Sequence, residues 1–288
     1  MRRLFFDGNN MARIAAAGNV NATQERGSRE IVFMVMKRIL EISSEFETNR
    51  IYFAFDHPRN IRKVHYPHYK ENRRVKDPRL NYESLYEQIN ILKDYVLPKL
   101  GVHVSYQEGL EADDFMFYLS ERFKEADGEK NVIVSTDQDF YQLLPVIDCY
   151  SPQTKVLMTR ELAEETYDID MEHWLKIKMI AGDSSDNIKG IKGVGKKTAI
   201  KFLKGMLNPN LSKYGEIERY LESGLCKENK ILMGLPYPDL HPLNWNPPST
   251  GVTFTKECFM EICREFDFYY FMPPDKWSEW SCLFSNGE

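Results

Sequence analysis

Arg2-Arg3-Leu4-Phe5-Phe6-Asp7-Gly8 is a short apolar run that stops on an acid and a glycine. Two later runs end in the same way. Ile51-Tyr52-Phe53-Ala54-Phe55 stops at Asp56, and Asn131-Val132-Ile133-Val134-Ser135-Thr136 stops at Asp137. Runs of this length and composition read as β-strands. The segments between them carry helical spacing. Ser28 can cap a helix with Val32, Val35, Met36, Ile39 and Phe46 on one stripe, and residues 82–97 repeat the pattern with Leu85, Tyr86, Ile89, Leu92 and Val96. Val102-His103-Val104 reads as a further strand and residues 111–126 as a further helix. Strands alternating with helices predict an α/β fold: a mostly parallel central sheet with helices on both faces.

The three strand-end aspartates matter because open parallel sheets bind ligands outside the carboxyl ends of their strands. Further acids fall at helix starts and turns, in Glu111-Ala112-Asp113-Asp114, Asp137-Gln138-Asp139 and Asp183-Ser184-Ser185-Asp186. Glu111 and Asp114 are three apart and share a helix face, with Asp113 turned aside. Any one aspartate could be an N-cap or a turn residue. Nine carboxylates brought together would repel one another and raise each other's pKa unless cations intervened. Mg²⁺ is the natural partner, being a hard ion that takes oxygen ligands and pairs with phosphates. Two such ions suit phosphodiester cleavage. No calcium-loop motif is present to support simple Ca²⁺ storage.

Two basic elements point to nucleic acid. Residues 57–79 hold Arg59, Arg62, Lys63, Lys70, Arg73, Arg74, Lys76 and Arg79 against only Glu71 and Asp77, with Tyr66, Tyr69 and three histidines interleaved. Basic and aromatic residues mixed in this way suit a phosphate backbone with stackable bases. With prolines at 58, 67 and 78 and few apolar residues, this segment is expected to be a loop or mobile helical insert above the cleft. The second element is Ile188-Lys189-Gly190-Ile191-Lys192-Gly193-Val194-Gly195-Lys196-Lys197, between two predicted helices. Its glycines allow close backbone approach, and the following helix offers N-terminal amides to phosphate. The Walker pattern is not met. Lysines without acids here suit a duplex backbone read without sequence preference.

Composition narrows the class without naming it. The 288 residues carry a net charge of -5, which argues against a protein that coats nucleic acid uniformly but allows local basic patches. Five cysteines, an odd number with no CxxC pair, argue against a disulfide framework or zinc site and for a reducing compartment. No apolar run approaches membrane-spanning length, and the first acidic motif residue comes too early for a signal peptide. Residues 236–251 contain five prolines and read as an extended loop, followed by an aromatic tail read as helix and coil.

The motifs resemble those of the 5′ nuclease or flap endonuclease family, most closely its bacteriophage 5′-3′ exonucleases. The likeness rests on Phe6-Asp7-Gly8-Asn9, Phe55-Asp56, Tyr69-Lys70-Glu71-Asn72-Arg73, Glu111-Ala112-Asp113-Asp114, Ser135-Thr136-Asp137-Gln138-Asp139, and Gly182-Asp183 through Asp186-Asn187-Ile188-Lys189-Gly190 to Gly193-Val194-Gly195. These stand in family order and cover residues 1 to roughly 235.

The resemblance implies a PIN-like nuclease domain over residues 1–170 with a helical arch at 57–80. It also implies a helical C-terminal part over 171–288, carrying a helix–three-turn–helix duplex clamp at about 171–205. It implies two or more Mg²⁺ ions, replaceable by Mn²⁺, on Asp7, Asp56, Glu111, Asp113, Asp114, Asp137, Asp139, Asp183 and Asp186. Lys70 and Arg73 would steer the scissile phosphate. Tyr69, Arg74, Lys189, Lys192, Lys196 and Lys197 would contact nucleic acid, and K⁺ could sit at the glycine-rich turn. The expected partner is DNA with a 5′ single strand or flap, or an RNA/DNA hybrid. A monomer in the cytoplasm is expected, the host's if the gene is a phage's. Two rivals remain: an RNase H-like nuclease removing RNA primers, and a non-cleaving structure-specific DNA-binding protein.

Overall fold

The computed structural model describes residues 2–23, 28–74, 77–124 and 130–284; of these, the side chains of Val20, Arg73 and Arg74 lie outside the description. The chain opens with β1 (Leu4–Asp7) and turns directly into α1 (Gly8–Gly18), then α2 (Glu30–Glu45) and β2 (Ile51–Ala54). A short α3 (Ile61–His65) precedes α4 (Tyr82–Ile91), a π-helical turn at Leu92–Val96, α5 (Leu97–Lys99) and β3 (His103–Ser105). Next come α6 (Ala112–Arg122), β4 (Val132–Val134), β5 (Asp148–Ser151), β6 (Val156–Met158) and α7 (Arg160–Tyr167). The helices expected at their sequence positions are present. α2 starts at Glu30, and the Ser28 hydroxyl accepts from the Glu30 amide at 3.4 Å.

The sheet runs β3-β2-β1-β4-β5-β6 and is parallel except for β6, which pairs antiparallel with β5. The chain walks outward from β1 to β3, then returns past β1 to β4. That reversal opens a crevice at the carboxyl ends of β1 and β4, the usual ligand position in such sheets. Strand side chains alternate between two buried faces, as a sheet covered on both sides requires. Leu4, Phe6, Phe53 and Val134 enter one core, and Phe5, Tyr52, Ala54 and Ile133 enter the other. Gly8 is dictated by this packing: a Cβ there would lie 2.3 Å from the Phe55 ring.

The rest of the chain does not pack as one body. α8 (Trp174–Ala181), the two-stranded ribbon β7 (Gly182–Asp183) and β8 (Ile188–Lys189), α9 (Lys196–Leu203), α10 (Ser212–Leu221) and α11 (Gly224–Met233) join the core with Phe5 and Tyr52. The aromatic tail crosses to the opposite face. There α12 (Lys256–Glu265), the 3-10 turn at Tyr269–Phe271 and α13 (Pro274–Phe284) bury Phe259, Phe271, Trp280 and Phe284 in the core with α2. The proline-rich stretch connects the two faces as an extended strap. It is held by Trp245 to the Ser105 hydroxyl at 2.9 Å and by the Tyr52 hydroxyl to the Pro248 carbonyl at 2.5 Å.

Within the basic segment 57–79, the described residues pack partly against the body. It is short-turned rather than long-helical, with α3 and a 3-10 turn at Glu71–Arg74. Arg62 and Tyr69 are buried, and the Lys70 side chain is 10% exposed. Burial here is polar and paired rather than apolar, so counting apolar residues missed it.

Candidate active site

The ends of β1, β2 and β4 each place an acid by a specific local bond. Asp7 caps α1: one carboxylate oxygen accepts from the Asn10 amide at 2.9 Å, the other from the Ser135 hydroxyl at 3.1 Å. Asp56 accepts from the Ala112 amide at 3.0 Å, which ties the end of β2 to the start of α6. Asp137 follows β4 and accepts from the Asp139 amide at 2.8 Å. Together with Asp113 these residues line one cleft, along with Asn9, Asn10, Arg13, Lys70, Thr136 and Gln138. Arg13 and Asn10 were not singled out from the sequence, and Asn9 stood there only within the Phe6-Asp7-Gly8-Asn9 motif. Their spacing after Asp7 puts Asn9, Asn10 and Arg13 on one face of α1.

A second, smaller cavity continues beneath Tyr69. Glu111, Asp113, Asp139 and Asp186 line it with Arg62, so Asp113 belongs to both spaces. Asp183 joins this group through Lys178, whose ammonium contacts Asp139 and lies 2.8 Å from Asp183. Lys178 was also missed. It sits in the apolar stretch Trp174-Leu175-Lys176-Ile177-Lys178-Met179-Ile180 and is 4% exposed. A charge buried on an apolar helix five residues before Asp183 was the available signal.

The electrostatics divide the acids. Burial pushes the Asp7 carboxyl up to about 7, and the charges of Asp56 and Asp137 add to it. Burial likewise raises Asp113 well above the carboxylate range, against the pull of Lys70. In the inner group the cations win. Burial alone would raise Glu111, yet Lys70 and Arg62 hold it at about 2. Asp183 is also held at about 2, because Lys178 and Ser185 outweigh its burial. Lys70 is desolvated too, but Glu111, at 2.5 Å, keeps its pKa above the ordinary value. Its backbone is left-handed at φ 56° and donates to the Asp186 carbonyl at 2.8 Å. A lysine held in that region is a strained residue kept in place by its surroundings.

Two of the residues expected at the site are engaged with other side chains of the protein. Asp114 faces neither cavity. It is fully buried, takes a bidentate pair from Arg62 at 2.7 and 2.8 Å, and accepts the Glu111 and Tyr237 amides. As the third residue of α6 it turns back to close a capping box with Glu111, away from the cleft. Tyr69 is 5% exposed and donates to Glu111 at 2.9 Å.

The other basic residues expected at nucleic acid divide between surface and rim. Lys189, Lys192 and Lys197 are exposed on the β8–α9 turn, where the backbones of Gly182 and Gly190 approach too closely for a Cβ. Lys196 lies over the Trp174 ring and donates to Gln138 at 3.0 Å, which brings that turn to the rim of the cleft. The side chains of Arg73 and Arg74, and all of Lys76, lie outside the described residues.

Among the described residues no three acids are gathered as a closed ligand set, and Lys70 and Lys178 stand among the inner ones. The donor set nevertheless fits a hard divalent cation. The outer group is all oxygen, and its mutual repulsion, visible at Asp7, is what such an ion relieves. No described helix is long and apolar enough to cross a membrane.

Residues 2–168 match the family model described as "5'-3' exonuclease, N-terminal resolvase-like domain". Flap endonuclease Xni of Shewanella loihica is 31% identical over 205 residues, which is 70% of this chain and 76% of that one. DNA polymerase I of Deinococcus radiodurans is 33% identical over 189 residues, 65% of this chain but 18% of the polymerase. The 5'-3' exonuclease of Aquifex aeolicus is 29% identical over 195 residues, and the match spans 62% of its length. Several of the curated relatives are thus matched over less than two thirds of their length. Among solved structures, the T5 5'-exonuclease with bound zinc has a TM-score of 0.69 at 20% identity, covering 82% of this chain and 90% of that one. A bacteriophage T5 D15 flap endonuclease complex with DNA and metal ions has a TM-score of 0.66 at 23% identity, with the same coverage. These two likenesses bear on the fold.

Proposed function

Because this chain belongs to the 5′-3′ exonuclease family, we propose that it is a metal-dependent, structure-specific 5′ nuclease. It hydrolyses phosphodiester bonds near the 5′ ends of flapped, branched or nicked DNA, in replication or repair. The observation that carries this reading is the acidic cleft at the switch point of the sheet, with the Lys70 ammonium seated inside it.

Mg²⁺, or Mn²⁺ in its place, would be held by Asp7, Asp56, Asp113 and Asp137 in the outer group and by Glu111, Asp139, Asp183 and Asp186 in the inner one. It would supply positive charge to the scissile phosphate and the attacking water. Everything else is done by the chain. Lys70, released from Glu111 as substrate enters, turns its ammonium to a phosphate oxygen and offsets charge that grows during attack. Arg73 assists from the same segment. Asn9 and Asn10 fix the strand ends: Asn9 accepts from the Asp56 amide at 2.9 Å, and Asn10 bonds Thr136 at 2.8 and 3.1 Å. No side-chain nucleophile is required.

Duplex is held away from the cut. Lys189, Lys192, Lys196 and Lys197, on the helix–three-turn–helix at about 171–205, grip the backbone. Its glycine-rich turn offers carbonyls to K⁺. Backbone grip by lysine is nearly blind to the sugar, so an RNA/DNA hybrid is accepted as well. The enzyme works as a monomer in the cytoplasm. Incubation with a 5′-labelled flap, with and without Mg²⁺, tests the reading: a short labelled product should form only with the ion. An uncut flap at every Mg²⁺ concentration, with binding retained, would leave the non-cleaving DNA-binding protein as the better description.

A further inference from the structure

Arg62 opens the basic segment, yet its side chain is 1% exposed. All five of its N–H groups meet an acceptor. Two go to Asp114 at 2.7 and 2.8 Å, one faces Glu111 at 3.3 Å, one reaches the Leu232 carbonyl at 3.2 Å and one the Gly234 carbonyl at 3.4 Å. The last two carbonyls end α11, where helix carbonyls have no partner within the helix and the dipole favours a cation. The Tyr237 ring lies 5.2 Å from the guanidinium, and the Tyr237 amide donates to Asp114 at 2.8 Å. One planar group therefore joins three parts of the chain: the start of the basic segment, the first turn of α6 and the beginning of the proline-rich strap.

We propose that Arg62 is a positioning residue for cleavage, which seats Glu111 and the Tyr69-Lys70 turn against the cleft by locking them to the end of α11. The assignment rests on the nuclease reading above. Glu111 is where the lock meets the chemistry. Its two oxygens take Lys70 and Tyr69 at 2.5 and 2.9 Å, so a shift of Glu111 moves both residues of the turn. Lysine cannot replace the guanidinium, since three donors on a point charge do not reach two carboxylates and two carbonyls at once. The strap is then part of the working enzyme. Its first residues hold the base of the segment that must admit the 5′ strand.

Two variants test this. Arg62→Lys keeps the charge and loses the fork. Arg62→Met with Asp114→Asn removes both buried charges together, while the Asn carbonyl can still accept an amide. Each is compared with wild type by thermal unfolding, by metal-free duplex binding, by hydrogen exchange of residues 61–71 without metal, and by single-turnover cleavage of a flap across Mg²⁺ concentrations. Cooperative unfolding and ordinary duplex binding are expected, with faster exchange in residues 61–71. Cleavage should fall on the order of 10²-fold even at saturating Mg²⁺, the scale of a misplaced catalytic group. A folded variant with wild-type exchange and wild-type rate overturns the proposal. So does failure of both variants to fold, which would make Arg62 a stability residue only. If wild type itself cuts no flap, the nuclease reading fails, and the exchange measurement still reports whether Arg62 seats the segment.

Discussion

The Lys178 ammonium stands 2.8 Å from Asp183 and also contacts Asp139, so a lysine supplies the positive charge between two acids expected to hold a metal ion. Removing it leaves two poorly solvated carboxylates facing each other. Lys178→Met should therefore destabilise the metal-free protein by about 3 kcal/mol, the cost of breaking a buried pair from one side. Added Mg²⁺ should recover much of that loss by taking over the neutralising role. Urea unfolding in EDTA and in Mg²⁺ measures both numbers. An equal loss in the two conditions would show that the lysine does not share its place with a cation.

Divalent ion removal should abolish cutting. Full-rate cleavage after EDTA treatment and chelator-free exchange would refute a metal role for the acids. Ca²⁺ should support binding with little cleavage, because its looser coordination sets the reacting groups less strictly. A flap bound but uncut in Ca²⁺, then cut on adding Mg²⁺, is the expected sequence in a gel assay.

Asp139→Asn or Asp183→Asn should lower the single-turnover rate on the order of 10²-fold, since each removes a carboxylate proposed to hold the cation and so weakens the positive charge at the reacting phosphate. Duplex affinity should change little, because the exposed lysines of the β8–α9 turn lie outside the acid groups. Paired kinetic and binding titrations separate the two effects. Equal rates for both variants and wild type at saturating substrate would remove these acids from the mechanism.

Lys192→Ala with Lys197→Ala should weaken binding alike for every duplex sequence. The slope of log affinity against log salt should fall by roughly 0.9 for each B-DNA phosphate that the lysines no longer neutralise. Fluorescence titrations over a range of salt read it directly. An unchanged slope would mean that these exposed side chains only solvate the surface.

Lys70→Ala should slow single-turnover cleavage on the order of 10²-fold while leaving duplex affinity nearly intact. The Lys70–Glu111 pair adds a second readout. In the metal-free variant Glu111 loses its largest stabilising charge, so its carboxyl should titrate above about 2. Carboxyl carbon shifts followed through an acid titration would detect that rise, and a normal rate would take Lys70 out of the chemistry.

The strands and their terminal acids were legible because a short apolar run ending in Asp needs only local pattern to be read. Phe6-Asp7 and Phe55-Asp56 carry that signal in adjacent residues. What was not legible depends on direction and distance. Asp113 and Asp114 are neighbours in sequence, but one turn of α6 sends the first to the cleft and the second to Arg62. Nothing in Glu111-Ala112-Asp113-Asp114 says which. Tyr69 read as a nucleic-acid contact because its partner Glu111 lies 42 residues away, and the link from Lys178 to Asp139 spans 39. The aromatic tail was expected to pack on the body. Its crossing to the far face follows from the strap, whose path a run of prolines does not specify.

The strap also settles the fate of a free sheet edge. β3 is the outermost strand on its side and would present unpaired backbone to any passing chain. Trp245 bonds Ser105 and lies beside the His103 ring, so a bulky side chain lies against the first and last residues of that strand. Trp245→Ala in the whole chain would uncover β3 with α12 and α13 still in place, and should favour self-association through that strand, edge against edge, even where the acids remained correctly placed.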